Sequence, residues 1–200
     1  MNYFDKTRST NKTGKMLVEN MLMTMAECRE KFGGASRIKE MIRVGSLHRV
    51  AYGIYSDGAC HRDVEILQKR YPASVVTLRS AYYYYDLSDS VPEKIHLAVE
   101  RGGSQIDDQN VVECFVPTGT GGVGVENVTL RDTPLRIFDK ERLLIETIRL
   151  RTKIPYELYR EVIGIYRQIA NDLYFAKVED YLEAFPKRKL IFDIIKKEVF

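Results

Sequence analysis

Few residues of this 200-residue chain have the type and spacing to do chemistry. The loop Gly119-Thr120-Gly121-Gly122-Val123-Gly124 satisfies G-x-G-x-x-G, the spacing with which a glycine-rich turn brings backbone amides against a pyrophosphate. That chemistry needs a helix directly after the loop, with its N-terminus facing the phosphates. Here the strand-like stretch from Val125 to Leu130 follows, and no Gly-Lys-Ser/Thr ending marks a P-loop. The loop therefore reads as a mobile connection. Cys28, Cys60 and Cys114 are odd in number and form no C-x-x-C pair, so structural thiols are expected in place of disulfides or zinc ligands. His48, His61 and His96 show no H-E-x-x-H spacing, and no metal site is expected. There is no G-x-S-x-G elbow, and the pairs Asp107-Asp108 and Glu179-Asp180 sit in polar surroundings, as solvated carboxylates do. The expectation is a protein that is not an enzyme and uses no cofactor.

What remains is electrostatic. Residues 1–60 carry ten Lys/Arg against six Asp/Glu, residues 61–138 eight against eleven, and residues 139–200 thirteen against eleven. The basic surplus of the first block is the modest footprint of a nucleic-acid-binding face. Its candidate contacts are Lys15, Ser36, Arg37, Lys39, Arg43, Arg49 and Tyr52. Arg37 is the candidate for a guanine contact, because its fork spans O6 and N7. Lys15, Arg43 and Arg49 are candidates for phosphates.

The elements that must position these residues follow from periodicity. Met16, Leu17, Met21 and Leu22 recur at helical spacing and predict a first short helix. Thr24-Met25-Ala26-Glu27 is a capping box that opens a second helix, ended at Gly33-Gly34. A third, with Ile38, Met41 and Ile42 on one face, runs to Gly45. Leu47 to Val50 and Tyr52 to Tyr55, with a turn near Ala51, read as the two strands of a wing. Together they predict a winged helix-turn-helix over residues 1–58.

From 59 to 200 the pattern is that of a mixed domain, α+β in class like the whole chain. A helix is expected after Asp63, a strand at Ser74–Leu78, and a helix through Ser80–Tyr85 whose four tyrosines divide between core and surface. Strands follow at Ile95–Val99 and Val111–Val116, then a hairpin around Arg131-Asp132-Thr133-Pro134. After Asp139, a plausible N-cap, four helices form a helical bundle to the C-terminus. Arg149, Arg151, Lys153, Arg160 and Arg167 lie on these helices as a possible basic patch, with a solvated face as the bland alternative.

Three stretches carry a resemblance. Gly45-Ser46-Leu47-His48-Arg49-Val50-Ala51-Tyr52-Gly53-Ile54-Tyr55 is similar to a G-x-L-x-[KR]-[VL]-x-x-G-[VI]-Y wing. Arg70-Tyr71-Pro72 with Leu78-Arg79-Ser80-Ala81, and the segment from Phe138 to Glu146, are similar to later motifs of the same family. In their order the three resemble the AbiEi antitoxins of bacterial abortive-infection, type IV toxin–antitoxin systems. Leu143 and Glu146 depart from the Thr and Asp usual in the last motif. The resemblance implies an N-terminal domain that binds inverted repeats in its own promoter as a repressor, with cooperative self-association on the DNA. It also implies a C-terminal domain active against an AbiEii-type nucleotidyltransferase toxin without a stable complex.

A polar start and the lack of any stretch of about 20 apolar residues predict a cytoplasmic protein with no membrane partner. The alternative function is a protein-interaction module without DNA binding, in which the basic helix face is incidental. A nucleotide-using enzyme built on the 119–124 loop ranks last.

Overall fold

The computed structural model describes residues 21–58, 61–103 and 105–200. These form a mixed α+β protein with eight α-helices and two small sheets, divided into one compact unit up to Arg70 and a second from Tyr71 to Phe200. Lys15, the helical pattern at Met16 and Leu17, and Cys60 lie outside the described residues.

The first unit begins with a strand, not a helix. Leu22–Thr24 is β1, paired antiparallel with β3 (Ile54–Ser56), which pairs in turn with β2 (His48–Ala51) in the order β1-β3-β2. Met23 is buried against Tyr55 in the core, so tertiary packing overrides the helical spacing of Met21 and Leu22. Thr24 ends the strand and caps helix α1 (Met25–Phe32) with both halves of the predicted capping box: the Glu27 amide donates to Thr24 Oγ1 at 3.3 Å, and the Thr24 amide to Glu27 Oε2 at 2.6 Å. Gly33-Gly34 leads into α2 (Ala35–Arg43). Cys28 from α1, Ile38 from α2, Leu47, Met23 and Tyr55 make the core cluster. Each such side chain contributes about 1.5–3 kcal/mol on burial, and a core this small leaves surface cross-links a visible share of the stability.

Those cross-links explain why the unit runs to Arg70, beyond the expected boundary at 58. The residues just before helix α3 (Asp63–Arg70) are tied to β3 by Ser56 Oγ, 2.7 Å from His61 Nε2. The helix itself is tied to α1 by Lys69 Nζ, 2.6 Å from Glu27 Oε1.

The second unit is built on a five-stranded sheet in the order β6-β5-β4-β8-β7. Its strands are β4 (Val75–Val76), β5 (Ile95–Glu100), β6 (Val111–Val116), β7 (Val125–Leu130) and β8 (Thr133–Phe138). β5 and β6 run parallel, as do β4 and β8, and the other two pairs are antiparallel. β7 and β8 turn on Arg131-Asp132 alone, both at positive φ, so Thr133 and Pro134 belong to the strand. Between β4 and β5 lies α4 (Leu78–Tyr84). Of the four tyrosines Tyr82 is fully buried, its hydroxyl 2.8 Å from Thr147 Oγ1, and the other three are half-buried.

Helices α5 (Lys140–Arg149), α6 (Tyr156–Gln168), α7 (Phe175–Leu182) and α8 (Arg188–Glu198) complete the unit. Asp139 caps α5 as expected, accepting from the Arg142 amide at 2.8 Å. Residues Glu141 to Ile148 of α5 are all buried, charged ones included. Arg142 lies between the rings of Phe138 and Phe185, its guanidinium carbon 4.5 and 4.2 Å from their centroids.

The 119–124 loop is not a mobile connection but the cover over this arginine. Thr120 is fully buried, and the Gly124 carbonyl accepts from the Asp139 amide at 2.8 Å. Gly124 sits at φ +66, where a Cβ would stand 2.4 Å from Arg142 Cβ.

Two outcomes follow. Gly124→Ala adds a clash against a side chain that cannot move to a left-handed backbone, and should destabilise the second unit by about 2 kcal/mol or more in urea unfolding; an unchanged midpoint would show that the loop yields. The second concerns acid. The Lys69 ammonium, together with the Thr24 amide, lowers the Glu27 carboxyl from its ordinary 4.5 to about 2. A depressed folded-state pKa gives stability that is present above pH 4.5 and is lost as pH falls toward 2. The melting temperature of wild type should therefore fall over that window more than that of Glu27→Gln, and parallel curves would contradict it.

Candidate nucleic-acid interface

Helix α2 buries one side chain fully, Ile38, and packs Met41 against the same cluster. At 100° per residue this turns Ser36, Glu40 and Arg43 to the opposite side, with Arg37 on one flank and Lys39 on the other. All five are exposed. The side chains of Arg37 and Lys39 make no hydrogen bond or ion pair among the described residues, so their charges stand free. Ser36 lies in the first turn of the helix, where a hydroxyl can serve either as donor or acceptor.

Arg43 is different. Its Nε and Nη2 donate to the two carboxylate oxygens of Glu40 at 2.8 and 2.7 Å, a fork-to-fork pair one turn apart. The pair holds the Glu40 carboxyl below the usual range and the Arg43 guanidinium above its own. A phosphate would have to compete with Glu40 for this arginine, which makes it a weaker phosphate contact than its charge suggests. Sequence reasoning missed Glu40; the i, i+3 spacing of Glu40 and Arg43 was the signal.

Arg49 and Tyr52 belong to the β2–β3 hairpin. Tyr52 is 78% exposed, and the Arg49 guanidinium lies 5.3 Å from its ring centroid with Nε 3.4 Å from the Ala51 carbonyl. The stack gives a long cation a fixed direction at the tip of the hairpin. The turn falls at Tyr52-Gly53, one residue later than expected, because the register shifts between Arg49 and Ala51. Gly53 sits at φ +75 with open space where a Cβ would go, so its constraint is conformational and not steric. Ile42 and Val44 add exposed apolar surface near the end of α2, 39% and 58% accessible.

The other expected sites separate. Of the five cations on the C-terminal helices, Arg149 and Lys153 share a pocket with Arg79 and Arg101, while Arg160 and Arg167 lie along a different hollow on α6. Arg151 donates to the Ile148 carbonyl at 3.2 Å. They do not form one patch. No group of three or more His, Cys, Asp or Glu among the described residues is arranged to hold a metal ion, and no helix there is long and apolar enough to cross a membrane.

The chain matches no family model and no curated protein. Among solved structures it is similar to the RV2827C protein of Mycobacterium tuberculosis, with a TM-score of 0.57 at 14% sequence identity over 86% of this chain and 71% of that one. At that identity the likeness is one of fold.

Because only φ restricts position 53, Gly53→Ala should cost about 1 kcal/mol of stability, whereas Gly53→Asn, which tolerates the left-handed region, should cost less. Melting temperatures of the two variants check the order; equal losses would mean that contacts, not backbone conformation, hold the glycine.

Proposed function

We propose that this chain is a DNA-binding transcriptional repressor whose N-terminal unit is a winged helix-turn-helix, with α2 as the reading helix and the β2–β3 hairpin as the wing. The observation that carries this reading is the exposed side of α2, where the side chains of Arg37 and Lys39, on the two flanks of Ser36, are free of partners among the described residues, within a unit whose hairpin holds Arg49 stacked on Tyr52. Charge supports it: residues 1–70 carry thirteen Lys/Arg against eight Asp/Glu, whereas residues 71–200 carry eighteen against twenty. In this reading α2 lies in the major groove with Ser36, Arg37 and Lys39 near base edges, Arg37 forks onto a guanine, and Arg49 contacts phosphates.

The resemblance of the hairpin, the Arg70-Tyr71-Pro72 segment and the Phe138–Glu146 segment to AbiEi antitoxins supports a second half of the proposal. The DNA is then the inverted repeat of the chain's own promoter, occupied by two copies in the cytoplasm. The second unit supplies protection against an AbiEii-type nucleotidyltransferase toxin without a stable complex.

Electrophoretic shifts with the DNA upstream of the gene test the first half. Neutralising about five phosphates gives a log–log salt slope of roughly −4 to −5, while a protein-interaction surface responds far less. Arg37→Ala should weaken operator binding about tenfold or more and relax base preference, each base contact being worth about 1–3 kcal/mol; Arg49→Ala should weaken all duplexes alike. Arg43→Ala should do less than either, since Glu40 already holds that arginine. An Arg37→Ala variant with unaltered affinity and selectivity would remove α2 from the mechanism. Colony survival with the toxin co-expressed tests the second half separately: full-length Arg37→Ala should lose repression and keep protection, and loss of protection would overturn the division of labour.

A further inference from the structure

The second unit holds a cationic pocket that the DNA-binding reading does not use. Its volume is about 210 Å³, and four cations line it: Arg79 of α4, Arg101 just after β5, Arg149 at the end of α5, and Lys153 in the 3-10 turn that follows. Glu113 is the one carboxylate among the lining residues, and its Oε1 is already engaged by the Ile106 amide at 2.7 Å. The unit as a whole is slightly acidic, with eighteen Lys/Arg against twenty Asp/Glu over residues 71–200, so the concentration of positive charge here is local.

Arg149 is fixed in place. It donates to Glu146 and, at 2.9 Å through Nη2, to the Phe115 carbonyl. The side chains of Arg79, Arg101 and Lys153 make no hydrogen bond or ion pair among the described residues, and the backbone amides of Arg101 and Lys153 are engaged by the Val116 and Leu150 carbonyls. The wall between them is apolar: Leu78, Leu150 and Phe115, a strand residue that is nevertheless 42% exposed. Leu78 holds φ at +43, a conformation rare for a side chain with a Cβ and one that clusters at ligand sites.

The pocket is built to bind and not to react. Cys114 Sγ lies 3.8 Å from His96 Nδ1, both at its wall, a spacing that would suit a thiolate–imidazolium pair. Burial and the nearby Glu146 push the thiol up to about 12, and burial with Arg79 holds the imidazole down to about 4. At neutral pH both are uncharged, which leaves no activated nucleophile.

We propose that this pocket binds a small phosphate monoester, with the phosphate between Arg79, Arg101 and Lys153 and the organic body against Phe115 and Leu150. Two guanidinium forks and an ammonium match the oxygens of a phosphate. A volume below the roughly 300–1,000 Å³ of drug-sized sites selects a compact ligand. Phe115 offers a face on which a flat ring can stack.

Titration calorimetry on the full chain tests this with three probes: adenosine monophosphate, inorganic phosphate and adenosine. The monophosphate should bind, inorganic phosphate more weakly, and adenosine not measurably. Arg101→Glu and Lys153→Glu, both on exposed side chains, should each weaken the monophosphate about tenfold or more, as loss of a charge-assisted contact does. Arg151→Glu makes the same charge change outside the pocket lining and should leave affinity within about twofold. Melting temperatures of the three variants establish that the fold is kept. No heat with any probe would overturn the proposal, as would equal weakening by all three variants, which would reduce it to net charge. A single-stranded oligonucleotide that binds more tightly than the monophosphate and is lost with Arg101→Glu would replace the small ligand by a nucleic-acid strand.

Discussion

Arg142 is fully buried, and the second unit is arranged around keeping its charge compensated. Its Nη2 lies 2.9 Å from Glu146 Oε1, itself 1% exposed, while the rings of Phe138 and Phe185 bracket the guanidinium. Burial pushes its pKa down to about 10, and Glu146 opposes that shift, so the arginine remains charged at neutral pH. Removing one partner of a buried ion pair costs roughly 3–5 kcal/mol, because the other is left uncompensated. The fold follows from that constraint. Asp139 starts α5 at the right point, the 119–124 loop closes over the arginine, and Gly124 must be a glycine for the loop to come so near.

Glu146 is also shared. Its second oxygen faces Arg149, so one buried carboxylate serves two guanidiniums and the surplus positive charge points toward the pocket at β5 and β6. The packing of the core and the electrostatics of the pocket are thereby one arrangement. In the first unit the logic runs the other way: Glu40 and Asp57 hold Arg43 and Lys31 in surface pairs, while the side chains of Arg37 and Lys39, on the two flanks of α2, stay free among the described residues.

Most of the elements could be read from local pattern, because local chemistry decides them. The Thr24–Glu27 capping box, the Asp139 N-cap and the breaks at Gly33-Gly34 and before Tyr156 are each set by a few adjacent residues. Distant contacts decide the rest. Leu22–Thr24 is a strand because β3 pairs with it from more than thirty residues away. The 119–124 loop reads as a link in sequence because the arginine beneath it lies on α5, and the first unit reaches Arg70 through Ser56–His61 and Glu27–Lys69. Among the candidate contacts, exposure of Ser36, Arg37, Lys39, Arg49 and Tyr52 was legible, whereas the pairing of Arg43 with Glu40 needed a helical register to be seen. The pocket was out of reach: Arg79, Arg101 and Lys153 are spread over more than seventy positions and meet only when β5 and β6 pair in parallel beside α4 and α5.

The most direct test of the DNA-binding account is to titrate the isotopically labelled full-length chain with its upstream duplex and follow backbone amide shifts by NMR. The account predicts that the amides of Ser36, Arg37 and Lys39 and those of Arg49 and Tyr52 move together and saturate at one stoichiometry, while amides around Arg101 and Lys153 stay in place. Shifts confined to the second unit, or an unmoved α2 under saturating duplex, would contradict it.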